Sequence, residues 1–381
     1  MKIGIDCRKF YDVQQNLGAG IERYTYHFVR NLLKHDQIND YVLFFYSDIS
    51  PETVHKIKGT NSRVKIVKLF RQSSKIPLWD NHIRFSHLLK CENLDNCIFP
   101  ANVIPLFYNK NSILIIHDLA IYLHPDWFPE KQWFSTKILV PASIRKAKKI
   151  VAISQCTKND LLKIFKINKD KVSVIYPGVR IKDTYLPDEI TTIKNKFEIK
   201  GDYCLFLGTI EPRKNILNLI KAFSNYLFEN EESKIDLVLA GNKGWKYNLV
   251  FKNLNCLNQR LINSRIKYIG KISNRERNIL LKNCEAFIFP SQYEGFGFPV
   301  LEAMSLGVPV VTGNNSSLQE VANDSAILVE SNDVNSIRRG IKQVLADKCL
   351  RQQLIVKGKK NSQSFTWEKT VEKFLVLINK K

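Results

Sequence analysis

The sequence lacks the features that place many chains at sight. It has no Cys-x-x-Cys pair, so its eight cysteines (Cys7, Cys91, Cys97, Cys156, Cys204, Cys256, Cys284 and Cys349) fit no zinc framework. Most sit in apolar company, as Cys204 does beside Tyr203, Leu205 and Phe206, and are expected to be small, reduced core fillers. There is no P-loop G-x-x-x-x-G-K-[ST], no H-E-x-x-H, no G-x-S-x-G and no D-x-D pair. Those absences exclude P-loop NTPase, zincin and α/β-hydrolase chemistry by motif, and no metal site is expected. No apolar run reaches the roughly 18 residues needed to span a bilayer. The opening MKIGIDCRKF also lacks the apolar stretch and cleavage site of a signal peptide, so a cytoplasmic protein is expected. Acidic residues are scarce: 36 Asp+Glu stand against 58 Lys+Arg, a net charge of +22. Such an excess points to an anionic partner, whether nucleic acid, an acidic membrane surface or a phosphorylated substrate.

What is present is a globular chain. Hydrophobic residues make up 44% of it, with 22 Phe, 14 Tyr and 5 Trp, which excludes intrinsic disorder. Its 381 residues suit two domains better than one core. The charge is uneven. Residues 1–50 are balanced, whereas 131–171 hold eleven basic residues against Asp160 and Asp170. That block is either a solvated helix face or a surface that approaches something anionic.

Short apolar runs read as strands at Lys2–Asp6, Tyr41–Tyr46, Val64–Leu69, Ser112–Ile116, Ile150–Ile153, Val172–Ile175, Tyr203–Leu207, Ile235–Ala240, Ala286–Phe289, Val308–Val311 and Ala326–Val329. Helical periodicity lies between them: Ile21, Tyr24, Thr25, Phe28 and Leu32 share a face, as do Ile216, Leu219, Ile220 and Phe223. Uninterrupted strands alternating with helices predict parallel sheets of the α/β class. The alternation pauses over 177–201 and restarts at Tyr203. The expected division is therefore 1–178, a linker 179–201, a second domain 202–365, and a final helix 366–381 able to pack back on the first domain.

Three stretches carry candidate chemistry. In the first, strand Ala286–Phe289 runs into a glycine-bearing loop with Glu294, Gly295, Phe296 and Gly297, then a helix from about Pro299 that contains Glu302 and is capped by Gly307. This is either a tight strand-to-helix turn in which Glu302 favours the helix and Glu294 its dipole, or an anion site whose carboxylates accept from hydroxyls. In the second, strand Tyr203–Leu207 and Gly208 lead to Arg213 and Lys214 at the next helix start. The macrodipole disfavours cations there by about 0.3–1 kcal/mol each, so this is either a solvated basic helix start or a place where an anion binds beside them. In the third, strand Ser112–Ile116 ends in His117 and Asp118, at the carboxyl end of a strand where α/β proteins bind ligands. His117 is either a structural histidine or a donor to substrate oriented by Asp118. The loop Gly18-Ala-Gly20-Ile-Glu22-Arg-Tyr lacks the third glycine of a dinucleotide fingerprint and serves at most to bring backbone close to a ligand.

Taken together these residues resemble the retaining glycosyltransferases of GT-B fold, family 4. The pair Glu294 and Glu302 looks like that family's two-glutamate motif. GTIEPRKN (208–215), LAGNKGW (239–245), IKYIGKIS (266–273) and VIYPGV (174–179) are similar in the same way. The resemblance implies an α/β GT-B architecture of two Rossmann-like domains facing a central cleft, with the acceptor held by the first and a nucleotide sugar by the second. It implies that Arg213 and Lys214 neutralise the leaving diphosphate. Glu302 would bind the ribose, and Glu294 with the amides of Phe296 and Gly297 the sugar and phosphates. Lys271 and Ile272 would flank the base, and His117 would support the sugar or the β-phosphate. Gly18, Gly20 and Asp118 would form an acceptor or phosphate loop, although Glu22 stands where many relatives have a small residue. It further implies front-face transfer with retention, without metal or other cofactor.

The wording of these motifs looks closest to mannosyltransferases that build O-antigen or other surface polysaccharide on a lipid carrier. The expected donor is therefore GDP-mannose, and the expected place the inner face of a membrane, reached through 131–171. A soluble transferase of sucrose- or glycogen-synthase type is a second reading. A non-catalytic basic α/β module binding nucleic acid or anionic membrane is a third. No basic groove with interleaved aromatics is evident, so nucleic acid is not the expected partner.

Overall fold

A computed structural model describes residues 1–14, 20–59, 61–69, 79–129, 133–179, 185–260 and 265–379. Gly18 and Lys131 lie outside these described residues. Among these described residues thirteen strands form two all-parallel sheets. The first has the order β3-β2-β1-β4-β5-β6-β7, from β1 (Lys2–Asp6), β2 (Asp40–Tyr46), β3 (Val64–Leu69), β4 (Asn96–Phe99), β5 (Ser112–Ile116), β6 (Lys149–Ala152) and β7 (Val172–Val174). The second has the order β10-β9-β8-β11-β12-β13, from β8 (Tyr203–Leu207), β9 (Asp236–Ala240), β10 (Ile266–Gly270), β11 (Ala286–Phe289), β12 (Val310–Gly313) and β13 (Ile327–Val329). Every residue of β5, β8, β9, β11 and β12 is buried, because helices cover both faces of a parallel sheet.

Both orders reverse direction once, between β1 and β4 in the first sheet and between β8 and β11 in the second. Such reversals open a crevice at the carboxyl ends of the adjacent strands. The chain leaving β8 carries Arg213 and Lys214, and the chain leaving β11 carries Glu294, so the second crevice collects the most reactive residues.

The chain divides into two compact units. The first comprises Met1–Leu123, Glu130–Gly178 and Thr366–Lys381; the second comprises His124–Pro129 and Val179–Phe365. Two features differ from the sequence expectation. The six residues His124–Pro129, expected in the first domain, belong to the second unit. There the Trp245 indole N–H donates to the Trp127 carbonyl at 2.5 Å, Lys246 reaches the Asp126 carbonyl, and the Phe128 and Trp245 rings lie 5.9 Å apart. The expected linker is also partly helical, at Pro187–Lys196, where proline fills the first turn and Glu189 reaches back to the Leu186 amide at 2.8 Å.

In the first unit the helix Trp367–Asn379 lies on the helix Gly20–His35. Ring contacts of 5.6 Å (Tyr24–Trp367) and 4.7 Å (Phe28–Phe374) tie the two together. At Gly178 a Cβ would lie 2.1 Å from the Trp367 nitrogen, so only glycine lets the chain pass there.

Candidate functional site

The second unit brings the two basic residues and the first glutamate together. After β8, Pro212–Lys214 makes a single 3₁₀ turn, Asn215 adopts a left-handed conformation (φ 60°), and the helix Ile216–Glu229 begins. This turn aims Lys214 inward. Its ammonium meets Glu294 Oε1 at 2.5 Å, while Arg213 Nη1 meets Glu294 Oε2 at 3.1 Å. Ser291 Oγ lies 2.8 Å from Glu294 Oε1. On its other edge Arg213 Nε donates to Glu211 Oε1 at 2.5 Å. Glu211, Lys214 and Glu294 are all buried. The anion beside these cations is thus supplied by the protein itself.

The electrostatics are those of a closed cluster. Burial alone raises the Glu294 pKa, but the charges of Lys214 and Arg213 outweigh it and hold the group below the ordinary carboxylate range. Burial and the Arg213 charge lower the Lys214 pKa against the opposing pull of Glu294 and Glu211. Two cations and two carboxylates share one crevice, so an incoming dianion competes with Glu294 for its partners.

The loop after β11 is buried through Gly295, Phe296 and Gly297, and Gly297, at φ 99°, begins the helix Phe298–Ser305. The helix starts one residue earlier than expected. At its other end Val308 N bonds Ala303 O and Gly307 N bonds Met304 O, both at 3.0 Å, with Gly307 at φ 74°, a Schellman ending. Glu302 does not join Glu294. It forms a tight ion pair with Arg277 of the helix Asn274–Lys282. Gly208 donates from the end of β8 to the Ala240 carbonyl at 3.0 Å. Exposed Lys271 and half-buried Ile272 occupy the short connection from β10 to the Arg277 helix.

The first unit holds His117 in a different setting. Its Nε2 lies 2.6 Å from the Pro100 carbonyl, and its ring stands edge-on to Tyr24 at 4.7 Å. A ring nitrogen facing a carbonyl must carry the hydrogen, and burial lowers the ring's pKa despite that bond and the nearby Asp118 and Glu22 charges. His117 is therefore neutral, with Nδ1 a lone-pair acceptor. Asp118 does not orient it. That carboxylate accepts from the Ala120 amide at 3.2 Å, because the short helix Ala120–Leu123 begins there. Gly20 opens the helix Gly20–His35, and a Cβ built there would meet no protein atom within 4 Å, so packing within the fold does not require a glycine at that position.

The basic block is partly consumed inside the fold. Lys171 donates to the Ile144 and Arg145 carbonyls at 2.9 and 2.7 Å, capping the helix Val140–Lys146, and Lys149 donates to Leu377 O at 2.7 Å. Lys146 reaches the Pro105 and Leu106 carbonyls, and burial lowers its pKa to about 8. Lys137, Arg145, Lys148, Lys163, Lys166 and Lys169 remain exposed. No helix among the described residues is long and apolar enough to cross a membrane.

Sequence reasoning missed Glu211, Arg277, Ser291 and the serines that hold the Glu294 loop. Glu211 stands inside the quoted GTIEPRKN motif and was readable as a partner for Arg213. Ser291 lies within the loop that follows strand Ala286–Phe289, whereas Arg277, Ser316 and Ser317 belong to no stretch singled out in the sequence.

Comparison with known proteins agrees with this layout. The family described as "Glycosyl transferases group 1" matches residues 189–361, and "Glycosyltransferase Family 4" matches residues 18–183. The chain is 28% identical over 367 residues to O-antigen chain mannosyltransferase B of Escherichia coli, covering 92% of this chain and 93% of that protein. It is 26% identical over 348 residues to the serotype-specific mannosyltransferase WbdA of Escherichia coli, matching 88% of this chain but only 41% of that longer protein. Among solved structures, Anabaena HepE in complex with UDP and glucose superposes with a TM-score of 0.75 at 16% identity, over 99% of both chains. With two family matches that together span nearly the whole chain and a parallel-sheet fold shared with such enzymes, this protein belongs to the family 4, group 1 glycosyltransferases of GT-B architecture.

Proposed function

We propose that this glycosyltransferase moves a hexose, mannose from GDP-mannose in the first instance, onto a lipid-linked or polysaccharide acceptor in O-antigen or related surface-polysaccharide synthesis, with retention of configuration. The observation that carries the reading is the buried Lys214–Glu294–Arg213 cluster at the β8/β11 crevice, in a chain that aligns along 92% of its length with an O-antigen chain mannosyltransferase.

Lys214 and Arg213 take the leaving diphosphate, and charge is neutralised by these side chains rather than by a metal. Glu294 exchanges its cationic partners for the donor sugar, with the Gly295–Gly297 loop amides beside it. Glu302 takes the ribose hydroxyls, while Lys271 and Ile272 border the base and Gly208 leaves room for the phosphates. On the acceptor side, neutral His117 offers Nδ1 to a sugar hydroxyl. A neutral ring adds no positive charge, so support of the β-phosphate falls to the two cations. Gly18, Gly20 and Asp118 border the acceptor. The exposed lysines of 131–171 draw the enzyme to the anionic cytoplasmic face of a membrane.

The test is a thermal-shift and hydrolysis screen of the pure protein with GDP-mannose, UDP-glucose and other nucleotide sugars. Stabilisation and slow hydrolysis greatest with GDP-mannose support the donor; a stronger response to UDP-glucose overturns it. Equal binding to neutral and anionic liposomes overturns the membrane reading.

A further inference from the structure

The loop that carries Glu294 is clamped from a neighbouring element. Glu294's amide donates to Ser316 Oγ at 3.0 Å, and its carbonyl accepts from Ser317 Oγ at 2.7 Å. Both serines open the helix Ser316–Ala322. Ser316 Oγ itself donates to Asn315 Oδ1 at 3.0 Å. Asn315 in turn donates to the Ser291 carbonyl at 3.1 Å and to Ser331 Oγ at 2.8 Å. The Asn315 side chain makes no capping bond to the helix it precedes. The hydroxyl of Ser316 is thus used twice, once towards the scaffold and once towards Glu294.

Ser316 does this from an unfavourable backbone. Its φ is 45°, in the left-handed region, where asparagine or glycine is common and serine is not. Asn215, at φ 60° on the opposite side of the crevice, has the residue type suited to that region; Ser316 does not. A strained residue of this kind persists only when its surroundings over-determine it, and such residues gather at sites that need fixed geometry. Glycine at 316 would satisfy the backbone fully, so the hydroxyl is the property that serine adds.

We propose that Ser316 is a positioning residue of the transferase site: its hydroxyl, presented by a left-handed backbone, fixes the Glu294 amide and so sets where the Glu294 carboxylate meets Lys214, Arg213 and the incoming sugar. The inference rests on the role given to Glu294 under Proposed function.

Two variants of the full chain separate hydroxyl from strain. Ser316→Gly removes the hydroxyl and relieves the backbone, so its thermal midpoint stays within about 2 °C of the parent or rises. Its kcat with GDP-mannose falls about 10- to 100-fold, because misplacement of a group at the reacting centre is read mainly in turnover, with KM changing by less than about threefold. Ser316→Ala loses the same hydroxyl while keeping a side chain at positive φ; it shows the same kcat loss with a lower midpoint. In both variants hydrogen exchange at the Glu294 amide quickens against the parent. Parental kcat in Ser316→Gly overturns the proposal, as does a kcat loss confined to Ser316→Ala, or unchanged exchange at Glu294. If the parent itself turns over no nucleotide sugar, the functional reading fails on its own, and the exchange measurement still decides whether Ser316 holds Glu294.

Discussion

At the scale of single residues, the central fact is that Glu294 already occupies the cations a diphosphate needs. A buried carboxylate paired with two cations is costly to remove and competes with any other anion for them. Glu294→Gln keeps the shape and removes the charge. It should tighten GDP binding about tenfold, read by calorimetry, while lowering turnover at least 10²-fold; weaker GDP binding would show that the carboxylate helps to hold the nucleotide. Lys214→Ala should lower turnover about 10²- to 10³-fold, as for loss of one preorganised charge at a leaving group, with a smaller effect on the thermal midpoint because Arg213 and Ser291 still hold Glu294. Two histidines of the first unit predict acid sensitivity. Burial, with Arg23 and Arg30 nearby, lowers the His27 pKa to about 4, and burial beside Arg8 and Lys146 does the same for His82. A histidine with a lowered folded pKa stays neutral in the fold, while the unfolded chain takes up its proton near pH 6.5. Stability is therefore full above about pH 6.5 and declines as pH falls towards 4. His27→Gln should flatten part of that decline in calorimetric scans between pH 7 and 5.

At the scale of elements, the strands of both sheet interiors were legible because each is a short uninterrupted apolar run with helical periodicity on either side. Two strands departed from that pattern. β4 is only Asn-Cys-Ile-Phe behind a polar stretch, and β10 carries Lys267 and Gly270 on a half-buried edge, so neither shows the apolar run of a strand. The Glu294 loop and its helix were legible from proline and glycine placement, and the Schellman ending follows from that pattern. Gly307→Ala forces a side chain onto φ 74° and presses it to within 2.4 Å of Lys359 Cε, the flexible end of a side chain. The expected cost is about 1–2 kcal/mol, a midpoint lower by roughly 2–8 °C. Partnerships between elements were beyond local reading. The Arg277–Glu302 pair, the strap His124–Pro129 on Trp245 and the positive φ of Ser316 depend on residues far apart in sequence, and no periodicity encodes them.

At the scale of the whole molecule, charge and order along the chain both gain meaning. The +22 excess divides into cations paired with the protein's own carboxylates and carbonyls and others left facing solvent; only the latter can attract a surface. The interleaving of the two units makes a direct prediction. Removing residues from Thr366 onward strips Trp367, Val371 and Phe374, all buried, from the face of the helix Gly20–His35. Hydrogen exchange should then quicken across Gly20–His35 and the strands of the first sheet, while β8, β9 and β11 keep their protection. Uniform loosening of both units would contradict the division.

The same interleaving has a consequence for the newly made chain. On the ribosome the first sheet emerges early, yet the helix that covers Tyr24 and Phe28 follows only after Val179–Phe365. At about 5–20 residues per second, that interval lasts roughly 10–40 s. Throughout it an aromatic face waits uncovered while the second unit is still being made, so this protein should depend on chaperones during its synthesis more than its finished stability suggests.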